Sequence, residues 1–172
     1  MKLYSGKVNA IAVEIIRSLL QDEAIEVTSR EEAIKDIEAV LKSYLQTERE
    51  VNDQTKDLLS QTGRGMEHFN KVRAQIAEHK GIRVGDEMIE YLLEQIQAML
   101  ESSKNIDEIF AEDMKLRQLM IPVFKRNLSD DAELDQLVRA QLKHLKEGTS
   151  TWEVEYNRVA EQIRKRQGLV RG

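Results

Sequence analysis

Residues 28–62 read TSREEAIKDIEAVLKSYLQTEREVNDQTKDLLSQT. Thr28 and Ser29 each stand three residues before a glutamate, Glu31 and Glu32. That pattern opens helices, because the hydroxyl and the carboxylate occupy amide hydrogens that the first turn leaves without partners. Apolar side chains then fall at Ile34, Ile37, Leu41, Tyr44, Val51 and Leu58, in steps that return to one helical face. Glu48 and Thr55 are the polar occupants of the same stripe. Ala33, Val40, Leu45 and Leu59 widen it to the breadth needed for packing in a bundle. No glycine or proline intervenes before Gly63. The spacing predicts one helix, roughly 50 Å long at about 1.5 Å per residue.

The flanking sequence continues in the same style. Val8, Ile11, Ala12, Ile15, Ile16 and Leu19 predict a helix ending near Asp22, followed by Ile25-Glu26-Val27, a connector or at most one rung of a tiny sheet. Beyond the Gly63-Arg64-Gly65 stop, Met66, Phe69, Val72 and Ile76 mark a helix closed by Gly81. Asp86 is the expected cap for the most apolar helix, Met88 to Leu100, which is expected at the centre of the core. Pro122 interrupts the next pattern and predicts a kink near residues 118–120 or a fresh start. Ser129 is the expected cap of a helix carrying Leu134, Leu137, Val138, Leu142 and Leu145, closed by Gly148. Ser150 with Glu153 is a further capping box, opening a last helix with Trp152, Tyr156, Val159 and Ile163 that ends at Gly168.

Charged residues make up 33% of the 172, aromatics 5%, and proline occurs once, which is the profile of a helical protein rich in surface charge. The net charge of −5 gives no general attraction to nucleic acid or anionic lipid. With no cysteine there is no disulfide, thiolate metal site or cysteine nucleophile, and a reducing cytoplasm fits. No apolar run approaches the ~18–20 residues that span a bilayer, and the start leads into an amphipathic helix rather than a signal peptide.

The order of the pieces repeats. Phe69-Asn70-Lys71-Val72, Gln75-Ile76 and Lys80-Gly81 match Tyr156-Asn157-Arg158-Val159, Gln162-Ile163 and Gln167-Gly168. Upstream, Val40-Leu41-Lys42 faces Val123-Phe124-Lys125, and Ile16 and Leu20 face Ile96 and Leu100. This reads as a tandem duplication of a helical unit of about 80 residues, residues 1–81 and 86–172, the two halves sharing one core. The expected fold is an all-α helical bundle of about seven helices, built from two related units around one long helix.

Little chemistry is on offer. His68, His79 and His144 are not at helical ligand spacing, the glycines terminate helices rather than cradle phosphates, and no nucleophile elbow occurs. No catalytic residue, metal site or cofactor is expected. Glu48 stands where an apolar residue belongs. Either the stripe drifts and leaves it exposed, or it is partly buried and paired with an Arg or Lys from another helix. Cations collect in the third helix of each unit. Residues 71–83 carry Lys71, Arg73, Lys80 and Arg83 against Glu78, and residues 158–171 carry Arg158, Arg164, Lys165, Arg166 and Arg171 against Glu161. Helix C-termini favour cations, so packing on acidic helices accounts for this. A paired basic surface for a phosphate backbone is the functional alternative, without the aromatic interleaving of single-strand binders.

The opening Met1-Lys2-Leu3-Tyr4-Ser5-Gly6-Lys7, the block from Asp36 through Leu45 with Thr47-Glu48-Arg49-Glu50, and Glu147-Gly148-Thr149 with Trp152-Glu153-Val154-Glu155-Tyr156 resemble an uncharacterised bacterial family, domain of unknown function 507. The resemblance covers essentially the whole chain and implies a cytoplasmic helical protein. It supplies no activity, substrate or site residue. The expectation is a non-enzymatic scaffold or adaptor that binds a macromolecule, protein ahead of RNA. A homodimer through the outer half of the long helix, Val51 to Leu59, is a further expectation.

Overall fold

A computed structural model describes residues 2–128, 131–147 and 149–166. The element order is α1 (Val8–Gln21), β1 (Ile25–Val27), α2 (Arg30–Thr62), α3 (Phe69–Lys80), α4 (Met88–Ser102), β2 (Ile106–Ile109), α5 (Asp113–Asn127), α6 (Asp131–Gln141) and α7 (Ser150–Arg166). The fold is an all-α bundle with one two-stranded antiparallel sheet, in which Ile25 faces Ile109 and Glu26 faces Glu108.

The long helix runs as its stripe dictates. Ser29 rather than Thr28 is the cap, its hydroxyl accepting from the Glu32 amide at 3.3 Å, while Thr28 turns to donate to Asp107 of β2. Gly63 closes the helix at φ +66. The same closure ends α3 at Gly81, φ +78, where Ile82 N–H donates to the Ala77 carbonyl. It also ends α1, but there the left-handed position holds Glu23, φ +55, with Ala24 N–H donating to Leu19. In the last two cases the residue after the turn is driven into the core, which fixes where the chain goes next: Ile82 and Ala24 are buried.

The main core is built by α1, α2, α4 and α5, with α1 and α4 each packed against both α2 and α5. Ile11, Ala12, Ile15, Ile16 and Leu19 of α1 have no exposed surface, so α1 shares the centre of the core that the sequence assigns to α4. A second, separate apolar cluster joins α6 and α7 through Leu134, Val138, Leu142, Val159, Ala160 and Ile163.

Several expectations need correction. Of the two readings of residues 25–27, the rung of a tiny sheet is the one found, because β2 arrives beside it. Asp86 lies within a short 3-10 turn, and α4 starts after Glu87 with no side-chain cap. Pro122 sits inside a single helix rather than restarting it. Nearby, Ser18 of α1 donates to the Leu119 carbonyl at 3.4 Å, helping to satisfy the backbone around the break that proline makes. The cap of α7 is Thr149, which accepts from the Trp152 amide at 3.2 Å, not Ser150. Met66 and Leu137 fall off their stripes and are exposed. The expected stops and cap at Ser129, Gly148 and Gly168 lie outside the described residues, as does Arg171.

The half of α2 expected to pair with a second copy, Val51 to Leu59, is partly covered within the chain. α3 packs along α2, and Val51, Thr55 and Leu59 are all buried within the chain, while Leu58 is exposed.

Candidate interaction groove

Glu48 is buried at 8% exposure, between α2 and α3. Arg73 of α3 reaches its Oε2 at 3.3 Å and also donates from Nε to Asn52 at 2.9 Å. One turn before Glu48, the Tyr44 hydroxyl lies 3.2 Å both from Glu48 Oε2 and from the Arg83 carbonyl, one proton for two acceptors. Burial, and then the adjacent Glu48 charge, hold the Tyr44 phenol far above its ordinary range. A polar wire therefore runs from Asn52 through Arg73, Glu48 and Tyr44 to the backbone at Arg83.

That backbone belongs to the turn that frames an open groove. Gly81 turns the chain, Ile82 anchors it in the core, and the Arg83 guanidinium pairs with Glu94 of α4. The groove beyond holds about 630 Å³ between α3, residues 81–87 and α4. An adjoining 370 Å³ stretch continues between α2 and α4 past Ala39, Val40, Ser43 and Met99. The two share Ile82, Tyr91 and Gln95. Tyr91 stands at the junction, its ring tilted against that of Tyr44 with centroids 5.8 Å apart, and burial raises its phenol. Farther along, Asp36 accepts from Ser103 and from Asn105, the latter at 2.9 Å, and ties the end of α4 to α2. A side pocket of about 140 Å³ reaches Glu48 from the opposite side, between Leu3 and Asn52.

Residues 1–169 match the model of a family described as a protein of unknown function, DUF507. The chain belongs to the DUF507 family. No match was found among curated proteins. The family's description carries no activity, so the chemistry of this DUF507 member is read from its own side chains.

The cations singled out in the sequence are largely engaged. Arg73 is turned inward to Glu48, Lys80 meets Glu50 at 3.4 Å, and Arg83 is held by Glu94. On α7, Arg158 pairs with Glu155 at 2.5 Å and Lys165 with Glu161 at 3.7 Å. Arg164 lies over the buried Tyr4 ring at 5.7 Å. Lys71 and Arg166 are exposed. Among the described residues, no group of three or more His, Asp or Glu is arranged to hold a metal ion, and no helix is long and apolar enough to cross a membrane.

Sequence reasoning singled out Glu48 and, separately, Arg73, but it missed the groove. Its lining residues come from three helices and a turn, none in a motif. The one available signal was the six-residue gap between Gly81 and Met88's helix, where Ile82 and Val84 flank a charged residue.

Proposed function

We propose that this protein is a non-enzymatic helical scaffold or adaptor that binds another macromolecule, protein in preference to RNA. The observation that carries the reading is the continuous open groove along α2, α4 and residues 81–87. It offers half-exposed apolar side chains beside polar ones, the composition of a surface that receives another chain. Protein ranks ahead of RNA because most of the basic side chains on α3 and α7 are already neutralised by carboxylates of this chain. The lack of cysteine suits a reducing cytoplasm.

The groove lies at the join of two related units in this reading. The repeated order helix, strand, helix, helix supports a duplication, as does the antiparallel pairing of β1 with β2, which places the first unit's strand against the second's. On this view α5 and α6 together answer to α2, and the α6–α7 hairpin answers to the outer half of α2 with α3.

Affinity purification from the native cell, with and without nuclease, tests the proposal. A nuclease-resistant protein partner, lost when Ala74 in the groove is replaced by Arg, is the expected outcome. Recovery of RNA alone, or a partner indifferent to Ala74→Arg, would refute it.

A further inference from the structure

We infer that the groove receives a short cationic amphipathic segment of another protein, one or two apolar anchors flanked by Lys or Arg. This rests on the scaffold reading and names the chemistry of its partner. Three observations lead to it. The floor is apolar and incompletely covered: Ile82 is buried beneath it, while Val84, Tyr91, Val40 and Met99 remain partly open.

The rim is acidic and only partly compensated. Glu78, Glu87 and Glu94 line the wider part, and among the described residues the cation lining it with them is Arg83. Arg83 is consumed by Glu94. Glu78 and Glu87 are exposed and form no ion pair among the described residues, in a molecule where most of the nearby charges do. Farther along, Asp36 faces Ser103 and Asn105 rather than a cation. An anionic partner would meet repulsion in the wider part of the groove, and a purely apolar one would strip water from its carboxylates without replacing it.

The length sets the size. From Asp36 to Thr47 the α2 wall spans about 16 Å at ~1.5 Å per residue, room for about three turns of helix. A helix seated there presents anchors three and four residues apart to the floor and its cations to the rim.

Fluorescence anisotropy with a labelled 15-residue peptide of alternating Leu and Lys at helical spacing tests this on the full chain. The same peptide with Glu for Lys is the control. The Lys peptide is expected to bind, to weaken as salt is added, and to lose about five-fold in affinity to the Glu78→Gln/Glu87→Gln variant, within the range two exposed charge pairs supply. An Asp57→Asn/Glu101→Gln variant has the same net charge, and both of its substitutions are exposed and outside the groove. It is expected to bind like wild type. Equal loss in both double variants, equal binding of the Glu peptide, or a dimer that Ala74→Arg abolishes would overturn the inference. If no Lys peptide binds but the native protein partner is still lost on Ala74→Arg, the cationic assignment falls and the scaffold reading stands. If the native partner is also unaffected, both fall.

Discussion

Replacing Arg73 by Met takes the counter-ion from a carboxylate that the fold has enclosed. The Glu48 side chain is 10% exposed and that of Arg73 20%. Breaking a fully buried pair from one side costs about 3–5 kcal/mol, since the remaining charge stays desolvated. Here the cost is smaller. The Tyr44 hydroxyl still donates, and the pocket beside Leu3 and Asn52 lets solvent approach, so about 2–3 kcal/mol is expected. For a chain of this size each kcal/mol moves Tm by about 2–4 °C, so Arg73→Met should melt roughly 5–10 °C below wild type. Glu48→Leu should cost less than about 1 kcal/mol. Arg73 keeps Asn52 and a path to water, Tyr44 keeps the Arg83 carbonyl, and the leucine adds apolar burial. With both replaced, no charge is stranded, and the double variant should return to within about 1 kcal/mol of wild type. The double-mutant cycle, read by thermal melting in far-UV circular dichroism, should show a coupling of about 2 kcal/mol. A melting point for Arg73→Met within 2 °C of wild type, a bound set by the ~0.5 kcal/mol usual for surface changes, would refute the reasoning. So would strictly additive effects.

Glu23 occupies a left-handed position that glycine fills without strain, so Glu23→Gly should raise Tm by about 1–4 °C, the net of relieved strain and added unfolded-state freedom. Gly81→Ala meets no atom within 4 Å, so its expected loss of about 1 kcal/mol in a urea titration would be backbone strain alone. The α6–α7 hairpin should be sensitive to pH at both extremes. A hydrogen bond from Tyr156 at 2.6 Å, then one from Arg139 at 2.8 Å, hold the Asp135 carboxyl below its ordinary 3.8. Its contribution is present above that value and lost as pH falls through the lowered one. Burial, then the bond to Asp135, push the Tyr156 phenol from 10.0 up to about 12, so its contribution is present below pH 10 and lost as pH rises toward 12. Trp152, the sole tryptophan, packs on Tyr156 at 5.1 Å, and its emission should report loosening at each end while staying flat between.

Helices were legible in this sequence because their signals are local. The 28–62 stripe, its serine cap and the glycine stops at 63 and 81 each act within a turn or two of their own position, and each stands where expected. Misplacements arose wherever a distant partner decides. Ile25-Glu26-Val27 becomes a strand only because residues 106–109 arrive beside it. Val51, Thr55 and Leu59 looked like a free face until α3 folded back over them. For Glu48 the pattern left two readings open, and only the placement of Arg73, a turn and a helix away, separates them. The groove was invisible for the same reason. Its walls share no sequence neighbourhood, and surface carboxylates such as Glu78 and Glu87 look like ordinary solvated residues until three dimensions bring them together beside an Arg83 already paired with Glu94.

The buried pair and the groove are joined at Tyr44, and that junction couples stability to binding. Tyr44 bonds to Glu48 on one side and to the Arg83 backbone on the other, while its ring supports Tyr91 at the middle of the groove. Tyr44→Phe removes only the hydroxyl. It leaves the ring contact and the α2–α3 packing in place, but frees the Arg83 carbonyl of a tie that holds the 81–87 turn against α2. A loss of about 1–2 kcal/mol in stability is expected, because the proton removed is shared between the Glu48 carboxylate and the Arg83 carbonyl. If the turn shapes the groove, amide exchange at residues 82–84 should quicken and binding of the cationic segment should weaken together, with exchange in α1 unchanged. Unchanged exchange at residues 82–84 would mean that Gly81 and the burial of Ile82 position the turn alone, and that the polar wire ends at Tyr44.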